Sequence, residues 1–144
     1  VVYYFAAEII GAILGSLFVL TIIGDKADLG ANAPNFDFSM LLIFPVEVLA
    51  SAMLMGVIFY VVYTKGLRGF SGVAIGGIVG LDILFLAFIS GASMNPARAL
   101  APALLSGVME NLWLYWTAPF VGTIIAAFAF RGKFKAQRER EVKS

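Results

Sequence analysis

Long stretches without a single charge constrain this chain more than any other feature. Residues 9–24, 48–64, 83–94 and 111–130 carry no Asp, Glu, Lys or Arg. They reach spanning length once a lone carboxylate is admitted inside the shorter ones, since a transmembrane helix needs about 20 mostly apolar residues. With 61% hydrophobic and 13% charged residues and a mean hydropathy of +0.95, the chain lies far from the roughly one-quarter charged content of soluble domains. The composition predicts an all-α membrane protein embedded in a lipid bilayer. No signal-peptide pattern opens it. Val1 lies inside an apolar segment with no Met before it, so the sequence is expected to be a fragment of a longer protein.

Cys and His are absent, which removes thiolate and imidazole metal sites and the nucleophilic or acid–base mechanisms that rely on them. The isolated carboxylates Glu8, Glu47 and Asp82 fall at no helical spacing from one another. Neither an enzyme nor a cofactor or metal site is expected. Six of the ten Lys and Arg residues lie between Arg131 and Lys143, the distribution of a cytoplasmic flank that touches anionic headgroups and not of a nucleic-acid-binding face.

Hydropathy and turn residues divide the chain into spans at about 2–23, 38–63, 71–89 and 112–130. Residues 24–37 form a polar loop, Lys65 and Arg68 mark a short basic turn, and residues 131–144 form a basic tail. The turn and the tail share one side if two crossings separate them. The positive-inside rule then makes that side cytoplasmic and puts loop 24–37 outside.

Residues 90–110 fit neither an exterior loop nor a span. Asn is a favoured N-cap and Pro is tolerated at the first helical position, so Asn95-Pro96 is expected to open a short helix that Ser106-Gly107 closes. About ten residues rise roughly 15 Å, half of a bilayer core of about 30 Å. The segment is a candidate re-entrant half-helix entering from outside. Its N-terminus aims a partial positive charge toward the membrane interior, and Arg98 adds a full one. An intramembrane Arg is a functional-site candidate by default.

Residues 4–15, Tyr-Phe-Ala-Ala-Glu-Ile-Ile-Gly-Ala-Ile-Leu-Gly, align with residues 115–126, Tyr-Trp-Thr-Ala-Pro-Phe-Val-Gly-Thr-Ile-Ile-Ala. Tyr, Ala, Gly and Ile match, between spans expected to cross in opposite directions. That is the mark of an inverted repeat. Gly72, Gly76 and Gly80, like Ala7, Gly11 and Gly15, recur every four residues, a spacing that lets membrane helices approach closely. Trp113, Tyr115 and Trp116 fall where an interfacial aromatic belt is expected.

Ser90-Gly91-Ala92-Ser93-Met94-Asn95-Pro96-Ala97-Arg98 resembles the second signature loop of the aquaporin and aquaglyceroporin family. Glu47, the Gly-rich third span and Leu29-Gly30-Ala31-Asn32-Ala33-Pro34 extend the likeness over nearly the whole chain, from the third to the sixth transmembrane helix of that family. The resemblance implies an aquaporin-like right-handed helical bundle with inverted repeats, here four spanning helices plus the half-helix. Residues 1–23 would be the last helix of the first repeat, 24–37 the extracellular-side loop, and 38–130 the second repeat with its re-entrant loop at 90–110. The start of the first half, with two helices and the other Asn-Pro-Ala loop, is absent.

The resemblance further implies a homotetramer in the cell membrane and a passive pore for water or a small neutral solute. In that pore Asn95 would orient water, and Pro96 and Ala97 would pack on the matching loop. Arg98 would reject cations and protons at a constriction shared with Ile83 and the Ala92 carbonyl, and Glu47 would hold loop N–H groups. Ile83 replaces the His common in strict water channels and the Gly common in glycerol channels, and Ala99 replaces the Asp that follows Arg in the latter. That constriction is similar to the one in archaeal aquaporins and implies water transport with some leak of small neutral solutes. A glycerol facilitator, an ion-coupled transporter using the half-helix as a substrate site and a non-conducting assembly partner are the alternatives. Asp82 departs from the family pattern, and its role stays open between the pore mouth, a structural hydrogen bond and a protonated buried acid.

Overall fold

The computed structural model describes residues 2–64 and 66–142, with the side chains at 27, 68 and 134–142 outside that description. The expectations placed on Lys65, on the Arg68 side chain and on the tail charges beyond Lys133 therefore lie outside the described residues. Among the described residues there are five α-helices: α1 (Val2–Ile23), α2 (Met40–Tyr63), α3 (Ser71–Ser90), α4 (Pro96–Ser106) and α5 (Leu112–Val142). Four of them include a segment long and apolar enough to cross a membrane, with Leu112–Lys133 as the spanning part of α5. Short 3-10 turns at Ala27–Gly30 and Arg68–Phe70 lie in the connections. No strand occurs among the described residues.

Helix α2 is the organising element, packed along α5 on one side and α3 on the other, while α4 lies against α1, α5 and the Ala27–Gly30 turn. One apolar cluster joins α2, α4 and α5 through Ile43, Ala99, Leu114, Tyr115 and Ala118. A second joins α2 to the loop before α4 through Ala50, Ala92 and Met94, with Val79 and Leu86 of α3 packed against it. At the opposite end of α2 the Phe59 and Phe130 rings lie 5.7 Å apart, and Lys133 Nζ sits 5.1 Å from the Tyr60 ring centroid.

On α1 and α3, burial runs opposite to that of a water-soluble protein. The only buried residues of α3 are the polar Asp82 and Ser90, and α1 buries none. Lipid is as apolar as Leu, so exposed Leu and Phe cost nothing there and helices associate through close packing and hydrogen bonds instead.

One expectation needs correction, and another finds no partner within this chain. The Gly72, Gly76, Gly80 and Gly11, Gly15 stripes meet nothing in this chain, since a Cβ at any of them has no atom within 4 Å. Close approach falls on α5 instead: a Cβ on Gly122 would collide with the Val48 carbonyl and lie 2.8 Å from Ser51 Cβ. Tyr115 is also no part of an aromatic belt, being 1% exposed where Trp113 and Trp116 are 49% and 38% exposed. Trp113 stacks on Phe44 with ring centroids 6.4 Å apart.

Candidate functional site

The loop between α3 and α4 is built around a buried carboxylate. Helix α3 ends at Gly91, whose φ of 91° is the left-handed cap geometry that glycine adopts without strain. Ala92 and Met94 follow at φ 41° and 57°, a region costly for residues with a Cβ unless the surroundings impose it. Those surroundings are visible in the hydrogen bonds. Glu47, fully buried, accepts the Met94 N–H on Oε1 at 2.7 Å and the Ser90 hydroxyl on Oε2 at 2.8 Å. The Ser90 oxygen in turn accepts the Ala92 N–H at 3.2 Å, and the Tyr115 hydroxyl donates to the Ser90 carbonyl at 2.6 Å. Irregular backbone at membrane depth survives only where such partners replace water.

Glu47 also fixes how far the loop penetrates. It lies seven residues beyond Met40, the first residue of α2, which is about 10 Å along the helix axis. Met94 is bonded at that level, so α4 starts well inside the bundle.

Helix α4 begins as its sequence dictates. Asn95 is the N-cap, with Oδ1 accepting the Ala97 N–H at 2.8 Å and Pro96 at the first helical position. The cap uses the oxygen of the amide, and Asn95 Nδ2 donates to no partner among the described residues. At the other end Gly107, at φ 80°, closes the helix with its N–H on the Ala103 carbonyl. Ala97 is 4% exposed, buried by this chain itself, whereas Pro96 keeps an intermediate exposure. Arg98, one turn in, is exposed and donates from Nη1 to Asn32 Oδ1 at 2.8 Å.

The remaining candidates are placed less tightly. Ile83 is 41% exposed on α3, seven residues or about two turns before Ser90. The Ala92 side chain is fully buried, which leaves only its backbone available to an open lumen. Asp82 is 1% exposed with neither carboxylate oxygen hydrogen-bonded among the described residues. It is enclosed by this chain and does not open onto a lumen here.

Asn32 and Ser90 are residues to which sequence reasoning gave no individual role, and Tyr115 had been expected only in an interfacial belt. Asn32 lies 66 residues from Arg98 in a segment whose polarity suggested plain solvent exposure. A signal was nonetheless present in the likeness of residues 29–34 to the family's outer loop.

Comparison with known proteins agrees with this geometry. Residues 1–130 match the family model for the major intrinsic proteins. Among relatives, Aquaporin NIP3-1 of Arabidopsis thaliana is 48% identical over 88 residues, covering 60% of this chain and 27% of that protein. Probable aquaporin NIP7-1 of the same plant is 34% identical over 130 residues, covering 89% and 46% respectively. Probable aquaporin TIP2-2 of Oryza sativa subsp. japonica is 35% identical over 136 residues, covering 90% and 52%. The chain spans about half the length, or less, of these relatives. Four apolar helices, a short capped helix seated on a buried glutamate, and a family match along all of that framework place this multi-pass membrane chain in the major intrinsic protein family.

Proposed function

We propose that the protein containing this chain is a passive transmembrane channel for water with some permeability to small neutral solutes, and that α4 is a re-entrant half-helix lining half of its pore. The observation that carries this reading is the way the 90–98 segment is held. Glu47 pins the loop about 10 Å inside α2, Asn95 spends its oxygen on the cap and keeps its amide N–H free for a solute, and Arg98 is tethered one turn further along. A fixed donor beside a helix N-terminus orients a passing water and opposes cations and hydronium.

Pro96 offers its exposed face to the matching loop of the first half, while Ile83 and the Ala92 carbonyl share the constriction with Arg98. The mid-sized apolar Ile83 leaves that constriction less polar than a strict water filter. The protein sits in the cell membrane with its C-terminus cytoplasmic, as the Lys and Arg distribution supports, and assembles as a homotetramer. The relatives, all aquaporins, favour passive conduction over ion-coupled transport.

The test is stopped-flow light scattering on proteoliposomes containing the full-length protein. Water permeability well above that of empty liposomes is expected, with glycerol flux slower than through a dedicated facilitator. Folded protein that conducts water no faster than bare lipid overturns the channel reading. Glycerol flux equal to a facilitator's overturns the selectivity.

A further inference from the structure

We infer that Asn32, in the connection between α1 and α2, is a positioning residue for Arg98 and sets the cation rejection of the pore from outside the signature loop. The inference rests on the channel reading given above and adds to it a residue from a different part of the chain.

Asn32 is 9% exposed although it belongs to a polar loop. Both ends of its amide are used: Nδ2 donates to the Gly91 carbonyl at 2.7 Å, and Oδ1 accepts from Arg98 Nη1 at 2.8 Å. One rigid planar group therefore fixes the guanidinium relative to the loop that leads into α4. The orientation is forced, because a backbone carbonyl accepts only and a guanidinium donates only, so a flipped amide would lose both bonds.

The neighbouring backbone is held just as firmly. Asn35 N–H donates to the Ile89 carbonyl at 3.0 Å, and a Cβ at Gly91 would lie 3.2 Å from the Ala33 carbonyl oxygen. The segment 32–35 thus runs along residues 89–91, and the preceding Ala27–Gly30 turn packs on α4 itself. Arg98 is exposed, and a long exposed side chain has several rotamers of similar energy. Without Asn32, no side-chain hydrogen bond among the described residues selects the one observed. A charge-supported hydrogen bond to a buried partner is stronger than an ordinary one, and it costs the arginine none of the donors on its other nitrogens.

The experiment uses the full-length protein in proteoliposomes and compares wild type, Asn32→Ala, Asn32→Asp, Arg98→Ala and the Asn32→Ala/Arg98→Ala double variant. Water flux is followed by light scattering and proton leak by an enclosed pH dye. Asn32→Ala is expected to keep water permeability and to raise proton leak on the order of tenfold, the scale set by one lost charged hydrogen bond. Asn32→Asp keeps an acceptor for Arg98 while losing the donor to Gly91, and is expected to leak close to wild type. The double variant is expected to leak no more than Arg98→Ala.

Wild-type leak from Asn32→Ala overturns the inference. So does equal leak from the Asp and Ala variants, which would mark a role in loop packing alone, or added leak in the double variant. If Arg98→Ala itself leaks like wild type, the reading of Arg98 fails, and with it the premise for Asn32. Should Asn32→Ala not yield monodisperse protein, Asn32→Thr, too short to reach the guanidinium, is read in the same way.

Discussion

Replacing Glu47 by Ala strands two buried donors at once, the Met94 N–H and the Ser90 hydroxyl. Each unpaired buried group costs about 1–3 kcal/mol, so Glu47→Ala is expected to lower stability by roughly 2–6 kcal/mol. Glu47→Gln keeps one acceptor oxygen and is expected to lose less. Thermal unfolding of the full-length protein in detergent checks this, and an unchanged midpoint for Glu47→Ala would contradict it. Glu47 stood out in the sequence as a lone carboxylate in an apolar span. The family resemblance assigned it loop N–H groups in general, but spacing could not name Ser90 or Met94, which lie 43 and 47 residues away, because spacing on one helix carries no information about a contact between two. Asn32 was hidden for the same reason. Asp82 was visible as an anomaly, and its geometry deepens it: a buried acid whose oxygens accept nothing among the described residues.

At the scale of elements, hydropathy located the helices well because a bilayer imposes length directly. The expected spans 2–23, 38–63 and 71–89 differ from α1, α2 and α3 by two residues or fewer at either end. The short helix was legible through its cap, its proline and its closing glycine. Helix α5 differs, continuing to Val142 where the expected span stopped at 130, since Lys, Ala, Gln, Arg and Glu are strong helix formers in water. Hydropathy measures where a helix leaves the membrane and not where it ends.

Glycines within α5 now separate into two kinds. Gly122 sits against the α2 backbone, flanked by Ala118 and Ala126, both nearly fully buried, whereas Gly132 has open space around it. Gly122→Ala is expected to destabilise the fold by about 1–3 kcal/mol through overpacking. Gly132→Ala should be neutral or stabilising by up to about 1 kcal/mol through helix propensity. Chemical denaturation of the two variants checks the opposite signs, and equal effects would show that the α2–α5 contact is looser than described.

Across the whole molecule the internal repeat becomes a statement about surfaces. Its alignment sets Tyr4, Ala7 and Gly11 of α1 against Tyr115, Ala118 and Gly122 of α5. On α5 those three residues are respectively bonded to the end of α3, buried in the core and pressed on α2. Their α1 counterparts have none of this: Tyr4 is 82% exposed and Gly11 meets nothing within 4 Å. If the pore consists of two inverted halves, the α1 face is covered in the full-length protein by an α2-like helix and by the loop carrying the first Asn-Pro-Ala. Gly11→Val is then expected to destabilise the full-length protein by about 1–3 kcal/mol, as overpacking does in a filled interface. Tyr4→Phe, leaving a loop carbonyl unpaired, should cost a similar amount. In residues 1–144 expressed alone and reconstituted, both substitutions should leave thermal stability unchanged, because Gly11 meets nothing in this chain within 4 Å and Tyr4 is 82% exposed. Comparing melting midpoints in the two contexts separates the possibilities. A full-length protein indifferent to Gly11→Val would mean that this face of α1 meets lipid and that the repeat in sequence is not a repeat in packing.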